Sequence, residues 1–267
     1  MSLTVQEVMD VLPLASGPEG STVDGLITGN MKQKVQGVAV SFVASHETIE
    51  KAAQLGANLF ITHEGVFYEH HGSRAEEQEI NDPVILRKKE QIKSHQMILY
   101  RYHDGPHQAV PDIITHGLLQ ALDWDTYQHS HLKYACLVTL PEPLSVQQIV
   151  QHLKDRLDLP YVRFAGDSEQ KCCEIALTSG YRGGGNIALP LFTEQRIDLL
   201  IAGEGPEWET PEYVQDAVSQ GSPQSQILIG HAASEEPGMK AVAQQIRDHF
   251  PDLPVYFIPA SPVIKVL

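Results

Sequence analysis

Cysteine is scarce in this chain of 267 residues: Cys136, Cys172 and Cys173 are an odd number, two of them adjacent and none in a CxxC pair. That excludes a disulfide framework and a thiolate zinc knot, and points to a reducing compartment, the cytoplasm. Basic residues are also few, 19 Lys+Arg against 34 Asp+Glu, for a net charge of −15. A surface that acidic repels the phosphates that supply most nucleic-acid affinity, so general nucleic-acid binding is not expected. No continuous apolar run approaches the roughly 18 residues of a membrane span. The opening MSLTVQEVMDVLPLAS carries Glu7 and Asp10 where an export signal would place a basic segment and then an apolar one. Neither export nor membrane insertion is expected. There is no G-x-S-x-G elbow, which disfavours a serine hydrolase, and no Pro/Gly/Ser-rich tract that would separate independent domains. What the chain does have is 42% hydrophobic residues, enough for a sizeable core, and 13 histidines, the commonest metal ligands among side chains.

Periodicity reads as α/β. The run 35–43 is β-rich, and HETIEKAAQLG then places Ile49, Ala52, Ala53 and Leu55 at helical spacing before Gly56. The run ANLFITHEG follows as a buried strand, so strand, helix and strand make a βαβ unit with a parallel pair. A helical stretch at 76–94, a strand at 97–103 and a helix at 111–122 continue the first half. The second half carries expected strands at 133–141, 174–180, 198–204, 225–231 and 254–259, with helices at 145–157, 210–219 and 234–249. The halves are taken as 1–130 and 131–267, two interlocked α/β halves of similar architecture, with the C-terminal segment 226–267 returning to a shared metal site.

Three expected strand ends carry clustered donors: His63-Glu64, then His103-Asp104 with His107, then His231 with Glu235 four residues on. Ligands in open α/β sheets bind beyond the carboxyl ends of parallel strands, where loops can supply side chains. A lone strand-end histidine is usually a hydrogen-bonded structural residue, but three such clusters point to a metal centre. Imidazole with carboxylate suits Zn, Fe, Mn, Co or Ni, and bridging carboxylates allow one ion or two. His70-His71 reads as a polar loop, Cys172-Cys173 as packed thiols, and TSGYRGGGN as a strand-to-helix turn rather than a phosphate cradle.

GANLFITHEGVFY, MILYRYHDGPH and ILIGHAASEEPGMKAVAQQI, with VDGLITGN, SGYRGGG and DLLIAGEGPEW in the same order, resemble the Nif-three-like dinuclear metal-centre family, also called GTP cyclohydrolase I type 2-like. The chain resembles a divergent member. The family's usual His-His pair reads His63-Glu64, its usual aspartate ligand falls on His107, and its Thr-Gly-Asp is replaced at Gly203-Glu204. The resemblance implies a shared centre built from His63, Glu64, His107, His231 and Glu235, with Asp104 as an alternative ligand. It implies a ring-shaped homohexamer, and position alone assigns proton-transfer roles to His103 or Glu204. The activity implied is that of a metal-dependent hydrolase of a small or nucleotide-type substrate, the alternative being a non-catalytic metal-handling or interaction protein.

Overall fold

The computed structural model describes residues 3–16, 22–70 and 82–267. In chain order its strands are β1 (Gly25–Thr28), β2 (Val38–Ser41), β3 (Leu59–Thr62), β4 (Ile98–Arg101), β5 (Gln128–His131), β6 (Cys136–Ser145), β7 (Arg163–Ala165), β8 (Lys171–Leu177), β9 (Leu199–Ala202), β10 (Ser225–Leu228) and β11 (Val255–Phe257). The helices are α1 (Val5–Met9), α2 (His46–Gln54), α3 (Pro83–Ser94), α4 (Asp104–Gln108), α5 (Ile113–Ala121), α6 (Val146–Leu157), α7 (Gly185–Thr193), α8 (Thr210–Ser219) and α9 (His231–His249). They form two compact units, Met1–Ile113 with Met239–Lys265, and Ile114–Gly238 with Val266–Leu267. The class is mixed α/β, as the alternation of strand and helix patterns implied.

In the first unit the sheet order is β1-β4-β3-β2-β11. β11, β2, β3 and β4 are mutually parallel and β1 lies antiparallel to β4. Every residue of VAVS, LFIT and ILYR in β2, β3 and β4 is buried, which is why these strands read as continuous apolar runs rather than alternating ones. The expected βαβ unit is β2-α2-β3. Helix α2 starts in a Ser45/Thr48 capping box and buries Ile49 and Ala52 against Phe60 and Leu99. Truncating Ile49 to Ala there should cost about 2–5 kcal/mol. Leu55 is the C-cap and is exposed, so it lies outside the buried apolar stripe of the helix. Helix α3 begins at Pro83, with Asp82 capping Val84 and Ile85; residues 76–81 of the expected helix lie outside the described residues.

In the second unit the order is β5-β6-β8-β9-β10-β7, with β8, β9 and β10 parallel and an antiparallel β5-β6 hairpin at one edge. Leu118, Leu119 and Leu122 of α5 and its end, with Ile149 and Leu153 of α6, pack on one face against Cys136, Val138 and Ile175. Ala188 and Phe192 of α7 and Val214 of α8 pack with Ala176 and Leu200 in the other cluster. Cys136 and Cys172 are buried and their thiols are pushed up to about 12 by that burial, as packed rather than reactive cysteines should be. Helix α9 starts at His231, three residues before the expected position, and contains Pro237. No helix among the described residues is long and apolar enough to cross a membrane.

Candidate metal centre

In the first unit, the site follows from register. Thr62 at the end of β3 pairs with Arg101 at the end of the adjacent parallel β4, so the residues that follow leave the sheet side by side. His63 and His103 therefore stack, with ring centroids 4.5 Å apart. His107, one turn into α4, meets both edge-on at 5.1 Å. One donor atom from each of the three lies within 4.8 Å of the others, and the same holds for Glu64, His70 and His103.

Each imidazole is fixed through Nδ1. His63 Nδ1 meets the Tyr102 carbonyl at 3.1 Å, His103 Nδ1 meets Asp104 Oδ1 at 2.9 Å, and His107 Nδ1 meets Asp112 Oδ2 at 3.0 Å. An oxygen partner selects the Nδ1–H tautomer and leaves Nε2 unprotonated, the form in which histidine binds a metal. Burial, then the neighbouring His63 and His107, push His103 down to about 3, so it is neutral at physiological pH. Burial acts to raise Asp104, but hydrogen bonds from His103, Val23 and Thr22 outweigh it and hold that carboxyl at about 2. Its second oxygen accepts from the Thr22 hydroxyl and the Val23 amide.

Glu64 is placed by Arg101, whose Nη2 lies 3.3 Å from Oε2. His103 Nε2 is 3.7 Å from Glu64 Oε1. An unprotonated imidazole nitrogen and a carboxylate oxygen this close are both electron-pair donors that a cation would bring into a favourable arrangement, so the donors present fit a divalent ion. Asp24 holds the backbone in place: its Oδ1 accepts from the amides of His103 and Asp104, and its Oδ2 from Gly105, which together cap α4.

The second unit repeats the logic. Leu228 of β10 pairs with Ala202 of β9, so His231 and Glu204 leave adjacent parallel strands. His231 Nδ1 meets Glu204 Oε1 at 2.8 Å and its Nε2 lies 3.2 Å from Glu235 Oε2, the i,i+4 carboxylate on α9. Ser234 Oγ donates to the His231 carbonyl and accepts the Gly180 amide. Gly180 has φ of +60°, and a Cβ there would overlap Glu235 Oε1. The glycines of TSGYRGGGN form the turn into α7, with Gly184 as N-cap and the Gly185 amide on Glu209 Oε2, so this segment is a strand-to-helix turn.

Of the residues singled out from sequence, His63, Glu64, His103 and His107 gather in the first unit, and His231, Glu235 and Glu204 gather in the second. Asp104 orients His103. His70 is more than the polar loop residue expected: its ring lies 4.7 Å from His103 and its carbonyl accepts from Arg101. His71 lies outside the described residues. Asp24, Arg101 and Asp112 gave no local signal, since each acts on partners set by the fold; Asp24 lies within VDGLITGN and Arg101 within MILYRYHDGPH, while Asp112 lies in none of the quoted segments.

A family model, Duf34/NIF3 (NGG1p interacting factor 3), matches residues 4–263. A GTP cyclohydrolase 1 type 2 homolog of Pyrococcus abyssi is 26% identical over 90% of either chain, and one from Clostridium perfringens is 23% identical over 94% of this chain and 92% of its own. Among solved structures, a Bacillus cereus protein related to NIF3 superposes with a TM-score of 0.76 at 14% identity over 99% of both chains. Reduced HcgD from Methanocaldococcus jannaschii gives 0.70 at 14% identity, over 97% of this chain and 98% of its own. With a family model spanning both units and every strand-end cluster, the chain belongs to the Duf34/NIF3 family.

Proposed function

We propose that the protein is a metal-dependent hydrolase that binds one or two divalent transition ions (Zn, Fe, Mn, Co or Ni) and acts on a small or nucleotide-type substrate. The observation that carries the reading is the set of three imidazoles, His63, His103 and His107, each anchored by an oxygen at Nδ1. The ligands proposed are these three with Glu64 in the first unit, and His231 with Glu235 in the second. When bound, such an ion supplies a Lewis acid and a source of nucleophile at neutral pH. His103, held neutral down to about pH 3, suits a ligand and is too weak a base to carry protons near neutrality. Glu204, against His231 Nδ1, is a positioning residue. Asp104 and Asp112 set the tautomers of His103 and His107.

The test is anaerobic purification with elemental analysis, followed by an unbiased hydrolysis screen with the metal found. Stoichiometric metal that falls in His63→Ala and His107→Ala, together with turnover that falls in parallel, is the expected result. Metal without turnover of any phosphoester, amide or purine substrate would replace the hydrolase reading by metal handling, and no metal would refute both. The homohexamer carried by the resemblance is part of the proposal; light scattering should give a mass several times the 29.5 kDa chain.

A further inference from the structure

A second group of histidines lies in the second unit, away from the strand ends already described. His129 and His131 occupy alternate positions of β5, the strand at one edge of the sheet, so they project to the same face. They pair across the hairpin with Val138 and Cys136, which are buried under Leu118, Leu119 and Leu122. Directly paired residues share a face, so this is the side of the sheet that α5 covers. His116 is on α5, and its ring lies 5.3 Å from that of His131 and 6.5 Å from that of His129. The rings of His129 and His131 are 5.4 Å apart.

A metal–nitrogen bond of about 2.0–2.1 Å plus about 1.1 Å to the ring centre puts each ring centre about 3.2 Å from an ion, so two imidazoles at a tetrahedral angle have centres about 5.2 Å apart. The first cluster meets this standard at 4.5, 5.1 and 5.1 Å. The second meets it on two sides, at 5.3 and 5.4 Å, while the His116–His129 side, at 6.5 Å, is about 1 Å too wide, so binding an ion requires one of these two rings to turn inward. Two further observations fit a ligand role. His129 Nδ1 meets the Tyr127 carbonyl at 2.9 Å, which fixes the tautomer that leaves Nε2 unprotonated. His116 Nδ1 is buried and has no hydrogen-bond partner among the described residues, a costly state for a ring nitrogen that a metal would relieve.

We propose that His116, His129 and His131 form a second, all-nitrogen site for a divalent ion of the Co-to-Zn group, separate from the strand-end donors. Three imidazoles without thiolate or a close carboxylate triad select that borderline group over Mg or Ca, and leave one coordination position for water or an exogenous ligand. Burial, then the proximity of His129, lower the basicity of His116 and favour the neutral form that binds metal.

The experiment is titration of the metal-stripped full chain with Zn²⁺ and with Ni²⁺ against a chromogenic chelator at neutral pH. It compares the wild type, His129→Ala/His131→Ala, His116→Ala and His63→Ala. The expected result is that the edge-strand double variant loses one equivalent, that His116→Ala binds that equivalent at least about tenfold more weakly, and that His63→Ala retains it. Unchanged stoichiometry and affinity in the double variant overturns the site, whatever happens at His63. A parallel measurement on the wild type needs no variant: histidine acylation with diethylpyrocarbonate, read by peptide mapping. Zn²⁺ should protect the peptides that contain His116, His129 and His131, and equal modification with and without the metal would refute the proposal.

Discussion

Substituting Gly180 by Ala tests the geometry of the second unit's donor set. At φ of +60° an L-residue costs about 1–2 kcal/mol, because its Cβ crowds the following carbonyl. Here that Cβ would also overlap Glu235 Oε1 and stand 3.1 Å from His231 Nε2. Glu235 is buried and cannot swing into solvent, so overpacking adds about 1–3 kcal/mol. The sum, roughly 2–5 kcal/mol, corresponds to a drop in melting temperature of about 5–15 °C. Gly221→Ala is the control: its φ is +76° but nothing lies within 4 Å of the added Cβ, so only the backbone cost of about 1–2 kcal/mol applies. Thermal denaturation and elemental analysis of both variants separate the two effects. Gly180→Ala should melt well below Gly221→Ala and carry less metal, since Glu235 and His231 are displaced. If the two variants behave alike in both measurements, Gly180 is merely a turn glycine and the argument from its packing against the donors fails.

Three further outcomes are expected. His103 has a folded-state basicity lowered from 6.5 to about 3, so the unfolded chain takes up a proton that the folded chain refuses between those values. Stability of the metal-stripped protein should thus fall as pH drops from about 6.5 towards 3 and be flat above; urea midpoints at several pH values should show a shallower slope for His103→Gln, and equal slopes would refute the assignment. Glu64→His should weaken binding of hard ions more than of softer ones, and Glu64→His with His107→Asp should recover it; metal affinities that add within about 0.5 kcal/mol would show that the two residues do not share a site. Asp24→Ala removes the acceptor from three amides at the start of α4 and should destabilise the chain by about 2–3 kcal/mol in denaturant melts. An unchanged midpoint would mean that water replaces the carboxylate without loss.

The parallel core of both sheets was legible because buried parallel strands write themselves as short apolar runs: LFIT, ILYR and LLIA are each buried throughout. The short edge strands were not. QHSH in β5 and RFA in β7 alternate in burial or lie mostly exposed, and neither carries an apolar run to mark it. The same division holds at the first site. His63, His103 and His107 announce themselves at strand ends, whereas Asp112 and Arg101 are recognised only through the side chains they meet in space. His70 was hidden for a different reason. It lies beyond the strand end in an irregular segment, and only the fold brings it against His103.

The exchange of donors relative to the family pattern becomes intelligible once those partners are included. At position 107 an imidazole stands where the resemblance implies a carboxylate, which by itself removes a negative charge from the ligand set. Yet His107 Nδ1 is bound by Asp112 Oδ2 at 3.0 Å, and an imidazole backed by a carboxylate is a more basic ligand that carries part of that charge to the ion. At position 64 the reverse holds: Glu64 adds a charge, and Arg101 at 3.3 Å offsets it. The local sum therefore changes less than the ligand letters suggest, and metal binding should survive the exchange. In the proposed centre Asp112, one step removed from the ion, would carry the compensation. Asp112→Asn keeps the shape of the side chain but removes the charge, and should weaken metal affinity by about 10–100-fold with little change in the melting temperature of the metal-free protein. Asp112→Glu should recover part of the loss. If Asp112→Asn binds metal as the wild type does, His107 needs no carboxylate behind it, and charge compensation is not what lets this chain replace a carboxylate at that position.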